Sequence, residues 1–264
     1  FGTRILFDRS TSDSEEALME LTDKVVLITG GRRIGASVAT ELARRGAKLS
    51  LSFWHSEDDA HRAATVIREA GHSIITTRVD LTEPSECYRL IDETVSNFGR
   101  VDVLINMAST YHSTPLAQLD ELAWDRALAV DAKASYLCAL AALPHLRATG
   151  DGRIINFSDW IVKSGRPQYL GYLPYYVAKS AVVALTEALA LELAEDGILV
   201  NAIAPGPIRA PSGTNSQEKR AVERATPLGR WGGDHAIVKA VVALIESDFI
   251  TGETIRVDGG RHLK

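Results

Sequence analysis

Apolar residues fall along this chain in short runs, separated by longer stretches in which they recur every three or four positions. Near-continuous Val/Ile/Leu runs at 25–29, 48–53, 74–79, 101–106, 153–158, 198–204 and 254–257 predict seven strands. Between them the helical period marks 34–45, 57–70, 84–98, 121–147, 175–195 and 234–246. Strands without polar alternation are buried on both faces, and strands separated by helices pair in parallel. The fold expected is therefore α/β, a Rossmann-like doubly wound α/β/α arrangement of three layers around a mostly seven-stranded parallel sheet. One stretch breaks the rhythm. Residues 206–233 are rich in Pro, Gly, Ser and charge, which predicts a long connection of the kind that forms lids or stays irregular.

At 264 residues the chain divides into an extension, 1–22, and one domain, 23–264. The extension lacks the apolar core of a secretion signal and the Arg-rich, acid-poor character of a transit peptide. Its polar stretch 10–16 reads as mobile and its apolar stretch 4–7 as a contact for a neighbouring copy. A net charge of −5 with no basic run excludes a general nucleic-acid binder. No apolar stretch reads as long enough to span a bilayer. Cys87 and Cys138 lack metal-ligand spacing and read as buried thiols of a reducing compartment, so a cytoplasmic protein without a metal is expected.

Candidate chemistry begins with Tyr175 and Lys179, four residues apart and so on one helical face. A lysine charge about 4 Å from a phenol, at an effective dielectric near 20, is worth roughly 4 kcal/mol. That is enough to bring the phenol towards neutrality, where general acids work best. Far upstream, the first strand runs into Gly30-Gly31-Arg32-Arg33-Ile34-Gly35 and then a helix. Small residues between a strand and a helix N-terminus let a backbone approach a pyrophosphate, which points to a dinucleotide. The second strand ends at Ser52-Phe53-Trp54-His55 without the acid that would hold ribose hydroxyls. Arg32 and Arg33 sit in the turn, where a guanidinium can pair with a 2′-phosphate, so NADP(H) is expected over NAD(H), with His55 assisting. Asp80 reads either as the partner of an adenine amino group or as the cap of a turn.

These residues, with Asn106-Met107-Ala108-Ser109, Pro205-Gly206 and the tail Val257-Asp258-Gly259-Gly260, resemble the short-chain dehydrogenase/reductase family from Val25 to about His262. The resemblance implies that Tyr175 is the acid/base, that Lys179 binds the nicotinamide ribose and tunes it, and that Asn106 supports the sheet. It implies cofactor contacts from Gly30, Arg32, Arg33, Ile34 and Gly35. Further contacts are implied from Phe53, Trp54, His55, Asp80 and Leu81, from Asn106, Ala108 and Ser109, and from Pro205, Gly206 and Ile208. Substrate contacts are implied for Ser109, Tyr111, Asp159, Tyr175, Pro207 and Arg209, and a homotetramer or homodimer built partly on the 175–195 helix is expected.

Four departures from the family pattern stand out. The glycine turn is one residue short. Asp159 stands where the family has a catalytic serine, with Ser158 one position early. Asp131 replaces a helix asparagine, a change that is harmless if the backbone carbonyl does the work. Ala210 replaces a threonine, leaving Thr214 or backbone to hold the carboxamide. Asp159 followed by Tyr175 and Lys179, with Arg33 before Ile34 and Gly35, resembles the pteridine reductase branch. There Tyr111 would cover a flat ring or merely rim the pocket, and the stretch 165–169 carries an insertion. A carboxyl beside Tyr175 can relay a proton to C=N, whereas an ionised carboxylate would repel a carbonyl oxygen. The readings are an NADPH-dependent reductase of C=N or C=O in a small planar substrate, a general keto-reductase such as one acting on 3-oxoacyl thioesters, or a catalytically silent cofactor-binding protein.

Overall fold

The computed structural model describes residues 19–30, 32–162, 164, 170–211 and 213–264. Its strands are β1 Val25–Thr29, β2 Lys48–Phe53, β3 Ile74–Arg78, β4 Val103–Asn106, β5 Arg153–Phe157, β6 Leu199–Pro205 and β7 Thr254–Val257. Each of the seven apolar runs is a strand, within two residues at either end. All pair in parallel in the order β3-β2-β1-β4-β5-β6-β7. The order reverses between β1 and β4, and at that switch point the loops beyond the two strands part to leave a crevice.

Helices cover both faces. Those on one side are α1 Ile34–Arg44, α2 Glu57–Glu69 and α8 Asp234–Glu246, whose Val38, Leu42, Ile67, Ile237 and Val241 pack on the sheet. Met19 and Leu21 are buried in the same layer, so the packed fold starts before residue 23. The extension's other expectations lie outside the described residues. The opposite side carries α3 Pro84–Phe98, α5 Ala134–Thr149 and α6 Leu173–Glu192, packed through Leu90, Cys138, Ala142 and Leu146. Cys87 and Cys138 are both buried there as free thiols.

Two expectations change. The single helix expected over 121–147 is three pieces: α4 Glu121–Leu128, a π turn Ala129–Lys133, and α5. As one continuous element, Glu121–Thr149 is long and apolar enough to cross a membrane, contrary to the sequence expectation. In this fold its apolar residues Cys138, Ala142 and Leu146 are spent on the core. The 206–233 connection is not irregular throughout, because it contains α7 Ser216–Ala225. The signal was in the sequence: the Asn215 side chain accepts from the Glu218 amide and Glu218 answers to the Asn215 amide, a complete capping box.

Candidate active site

The cleft over the carboxyl ends of β1, β4, β5 and β6 has two lobes, of about 590 and 630 Å³, which share Gly30, Arg32, Met107 and Ser109. Its floor is built by close backbone approach. Gly30 holds φ +86, and a Cβ there would come within 3.0 Å of the Ala108 backbone. A Cβ on Gly35 would stand 2.3 Å from the Gly30 carbonyl. Thr29 Oγ1 accepts from the Met107 and Ala108 amides, at 3.0 and 3.2 Å, fixing the loop after β4 against the turn. Only a bare backbone fits here, which suits a pyrophosphate laid across the start of α1.

The first lobe gathers Phe53, Trp54 and His55 after β2, with Asp80 and Leu81 after β3. Asp80 Oδ1 caps a turn, accepting from the Thr82 amide and hydroxyl, and the residue also lines the lobe. Trp54 lies beneath the Arg78 guanidinium, 4.9 Å from its ring centroid. Sequence reasoning missed Asp59 and Arg62 in this wall, because they lie in the first two turns of α2 and read as a solvated helix face.

The two arginines of the glycine turn part company. Arg32 lies over the first lobe with Nε 3.6 Å from Asp59. Arg33 caps α1 at φ +57, a conformation few side chains adopt, and swings to the other side. Its Nη2 donates to the Arg209 carbonyl at 3.0 Å, pinning the connection after β6. Burial, and then the charges of Arg209 and Arg32, lower its pKa, with Asp234 opposing. Of the two, only Arg32 lines the first lobe, while both line the second.

The second lobe holds Arg33, Ile34, Tyr111, Asp159, Tyr175 and Lys179, with Pro205, Gly206, Pro207, Ile208 and Arg209 along its far wall. Trp160, Trp231 and Arg261 complete it, without a sequence signal that could have found them. Tyr175 and Lys179 share a buried face of α6, as their spacing predicts. The partner of the phenol is Asp159, the carboxyl expected beside it. The Tyr175 hydroxyl donates to Asp159 Oδ2 at 2.7 Å. Lys179 Nζ lies 5.7 Å from the tyrosine ring centroid, donates to the Phe157 carbonyl at 2.7 Å and is 2.9 Å from Asp131 Oδ1. Ser158 turns its hydroxyl to the Lys179 carbonyl, 2.9 Å away, so Asp159 is the residue that meets Tyr175.

Burial pushes the Asp159 carboxyl up to about 6, against the hydrogen bonds from Tyr175 and the Ile161 amide. The Lys179 charge pulls it down least of all. Lys179 does oppose the rise, and desolvation outweighs it. Three site expectations fall outside the lining of either lobe. Gly35 acts by close packing, while Asn106 is buried and donates to Asn156 Oδ1 at 2.9 Å, joining β4 to β5. Asp131 is fully buried, and its side chain rather than its carbonyl reaches the site. Tyr111 stacks on Tyr172 with centroids 4.7 Å apart and stands edge-on to Tyr175 at 5.1 Å, so one of its faces is already covered. The 165–169 insertion and Gly31 lie outside the described residues.

The family model described as enoyl-(acyl carrier protein) reductase matches residues 30–262. The 3-oxoacyl-(acyl-carrier-protein) reductase FabG of Staphylococcus aureus is 33% identical over 251 residues, 93% of this chain and 100% of that protein. The chain belongs to the short-chain dehydrogenase/reductase family. It is an oxidoreductase of that family. The short-chain reductase protein NovJ of Streptomyces niveus is 33% identical over 96% of this chain and 99% of its own length. Among solved structures, a short-chain dehydrogenase/reductase from Serratia marcescens superposes with a TM-score of 0.85 at 28% identity, over 92% of this chain and 100% of that one. A blue fluorescent protein from a metagenomic library, in complex with NADPH, gives 0.83 at 26% identity, over 92% and 99%.

Proposed function

We propose that this enzyme is an NADPH-dependent carbonyl reductase, taking 3-oxoacyl thioesters or related small ketones. The observation that carries the reading is the buried Tyr175–Lys179 face at the cleft, a proton donor beside a ribose anchor, with the Tyr111–Tyr172 stack favouring a carbonyl over a flat C=N ring. The glycine-lined floor fits a dinucleotide, and Arg32 at the adenosine end suits a 2′-phosphate. Support comes from the Staphylococcus aureus relative, a 3-oxoacyl-(acyl-carrier-protein) reductase, and from the NADPH-bound neighbour.

When bound, the nicotinamide supplies the hydride. Tyr175 holds the substrate oxygen and gives it the phenol proton as negative charge develops. Asp159, when protonated, can donate to that oxygen, the work a serine does elsewhere in the family. When ionised, it accepts from Tyr175 and holds the phenol in place. Lys179 anchors the ribose side, and Trp160 and Trp231 exclude water. Ser109, Tyr111, Pro207 and Arg209 would shape the substrate side.

A second reading, reduction of C=N in a planar heterocycle such as a pterin, is favoured by the carboxyl at 159, which can pass a proton on to the phenol. The Tyr111–Tyr172 stack weighs against it, since a flat ring would have to displace Tyr172 or use the other tyrosine face. NADPH absorbance followed with an acetoacetyl thioester, a dihydropterin and dihydrofolate separates the two. Turnover of the pterin alone overturns the carbonyl reading, and no turnover of any carbonyl or imine returns the silent cofactor-binding protein.

We further propose a homotetramer, or a homodimer, in the cytoplasm. Tyr136 and Leu140 on α5 and Leu191 on α6 stand exposed, and a partner copy would cover them. Light scattering after size exclusion tests this; a monomer at micromolar concentration sinks it.

A further inference from the structure

The strongest unexplained feature is a carboxylate. Asp131 is 1% exposed and sits in the π turn, a helix irregularity that often marks functional sites. Its Oδ1 pairs with Lys179 Nζ at 2.9 Å and accepts the Ser109 hydroxyl at 2.5 Å. Its Oδ2 accepts the Thr110 amide at 3.0 Å and the Thr110 hydroxyl at 2.8 Å. The carbonyl of the same residue accepts the Ser135 hydroxyl at 3.1 Å. The side chain thus joins three elements: the turn itself, α6 through Lys179, and the loop after β4 that carries Tyr111.

We propose that Asp131 is a positioning residue whose charge matches that of Lys179 and ties it to the Ser109–Thr110 segment, leaving proton delivery to the Asp159–Tyr175 pair. This rests on the carbonyl-reductase reading of the same site. An amide at 131 could keep some of the hydrogen bonds, but it could not balance a buried ammonium. With the balance in place, Lys179 serves as an anchor whose field at Asp159 is opposed by the Asp131 charge and outweighed by burial. Without it, an uncompensated ammonium faces the acid and favours its ionised form.

Asp159 has few such neighbours among the described residues. Tyr175 and Lys179 reach it from α6, and the Ile161 amide donates to it from its own loop. Arg261, from the C-terminal turn, is engaged over the Trp160 ring at 5.6 Å. Around Asp131 the only buried cation among the described residues is Lys179; Lys133 on the same turn and Arg126 on α4 are exposed.

The test is a charge series at one position. The pH profile of kcat/KM is recorded with NADPH and an acetoacetyl thioester for the wild type, Asp131→Asn and Asp131→Glu. The limb near pH 6 should move down by about one pH unit in Asp131→Asn. It should stay in place in Asp131→Glu, which keeps the charge even if it turns over more slowly. Equal limbs in all three, or equal displacement in both variants, overturn the proposal. A wild type with no turnover on any carbonyl overturns the functional reading instead. In that case, or where Asp131→Asn folds poorly, unfolding transitions still decide the inference. Asp131→Asn/Lys179→Met removes both buried charges and should melt above either single variant; a double variant that loses the sum of the two single losses shows no ion pair to protect.

Discussion

The Tyr175 hydroxyl donates a hydrogen bond to Asp159 across 2.7 Å, while Lys179, its expected tuner, lies over the tyrosine ring at 5.7 Å and is engaged by Asp131 and the Phe157 carbonyl. Burial pushes the Asp159 carboxyl up to about 6, so it can change protonation in the working range.

Stability should record that acid. An unfolded aspartate titrates near 3.9, so between about pH 4 and 6 only the folded state holds the proton. Its contribution is complete below pH 4 and is lost as pH rises through 6. At about 1.4 kcal/mol per pH unit of difference, Asp159→Asn should be roughly 2–3 kcal/mol more stable than the wild type at pH 8, with no such advantage at pH 4. Urea unfolding at the two pH values checks this, and an equal effect at both would contradict it.

Removing only the phenol oxygen, as in Tyr175→Phe, should lower kcat by about 10²-fold or more while NADPH binding is preserved. Lys179→Ala should do wider damage. It removes an anchor and leaves Asp131 buried without its cation, a loss of about 3–5 kcal/mol in stability. Steady-state kinetics beside calorimetry separates the two variants; wild-type turnover in Tyr175→Phe ends the mechanism.

Cofactor choice should rest on Arg32. NADPH should bind at least about tenfold tighter than NADH, worth about 1.4 kcal/mol, and Arg32→Ala should erase most of that margin. Arg33→Ala should instead weaken substrate use, because it frees the connection after β6. Fluorescence titration with both nucleotides decides the matter, and a margin that survives Arg32→Ala but vanishes in Arg33→Ala reverses the assignment.

Asp159→Ser tests substrate class. A hydroxyl can donate to a carbonyl oxygen at every pH, so ketone reduction should persist or improve and lose its limb near pH 6. Reduction of a dihydropterin, which needs a transferable proton, should fall. Unchanged rates on both would remove Asp159 from the chemistry.

The seven strands were legible because a parallel sheet covered on both faces leaves its residues no polar alternative, so each run announces itself. Tyr175 and Lys179 were legible from spacing, since α6 is regular through both. Asp131 was reached only through the family resemblance, and its side chain's part was not legible, because a π turn leaves no compositional trace and a continuous helix gives no reason to point that side chain inward. Arg32 and Arg33 could not be told apart, because their divergence depends on φ +57 at Arg33, a backbone state that nothing in the residue type demands. The acidity of Asp159 was legible only as two opposed effects: the sequence shows that an apolar pocket would raise it and a nearby lysine lower it, but not which is larger.

The π turn at Ala129–Lys133 has one more consequence. Successive residues of a regular helix differ by about 100° around its axis, and the extra residue accommodated there resets that phase. α4 can then face α6 while α5 lays Cys138, Ala142 and Leu146 into the core. This stretch should accordingly accept changes of side chain more readily than changes of length. Deleting a single residue would straighten the rod, carry everything on one side of the joint round by about a quarter turn, and silence the enzyme without touching any group that meets the substrate.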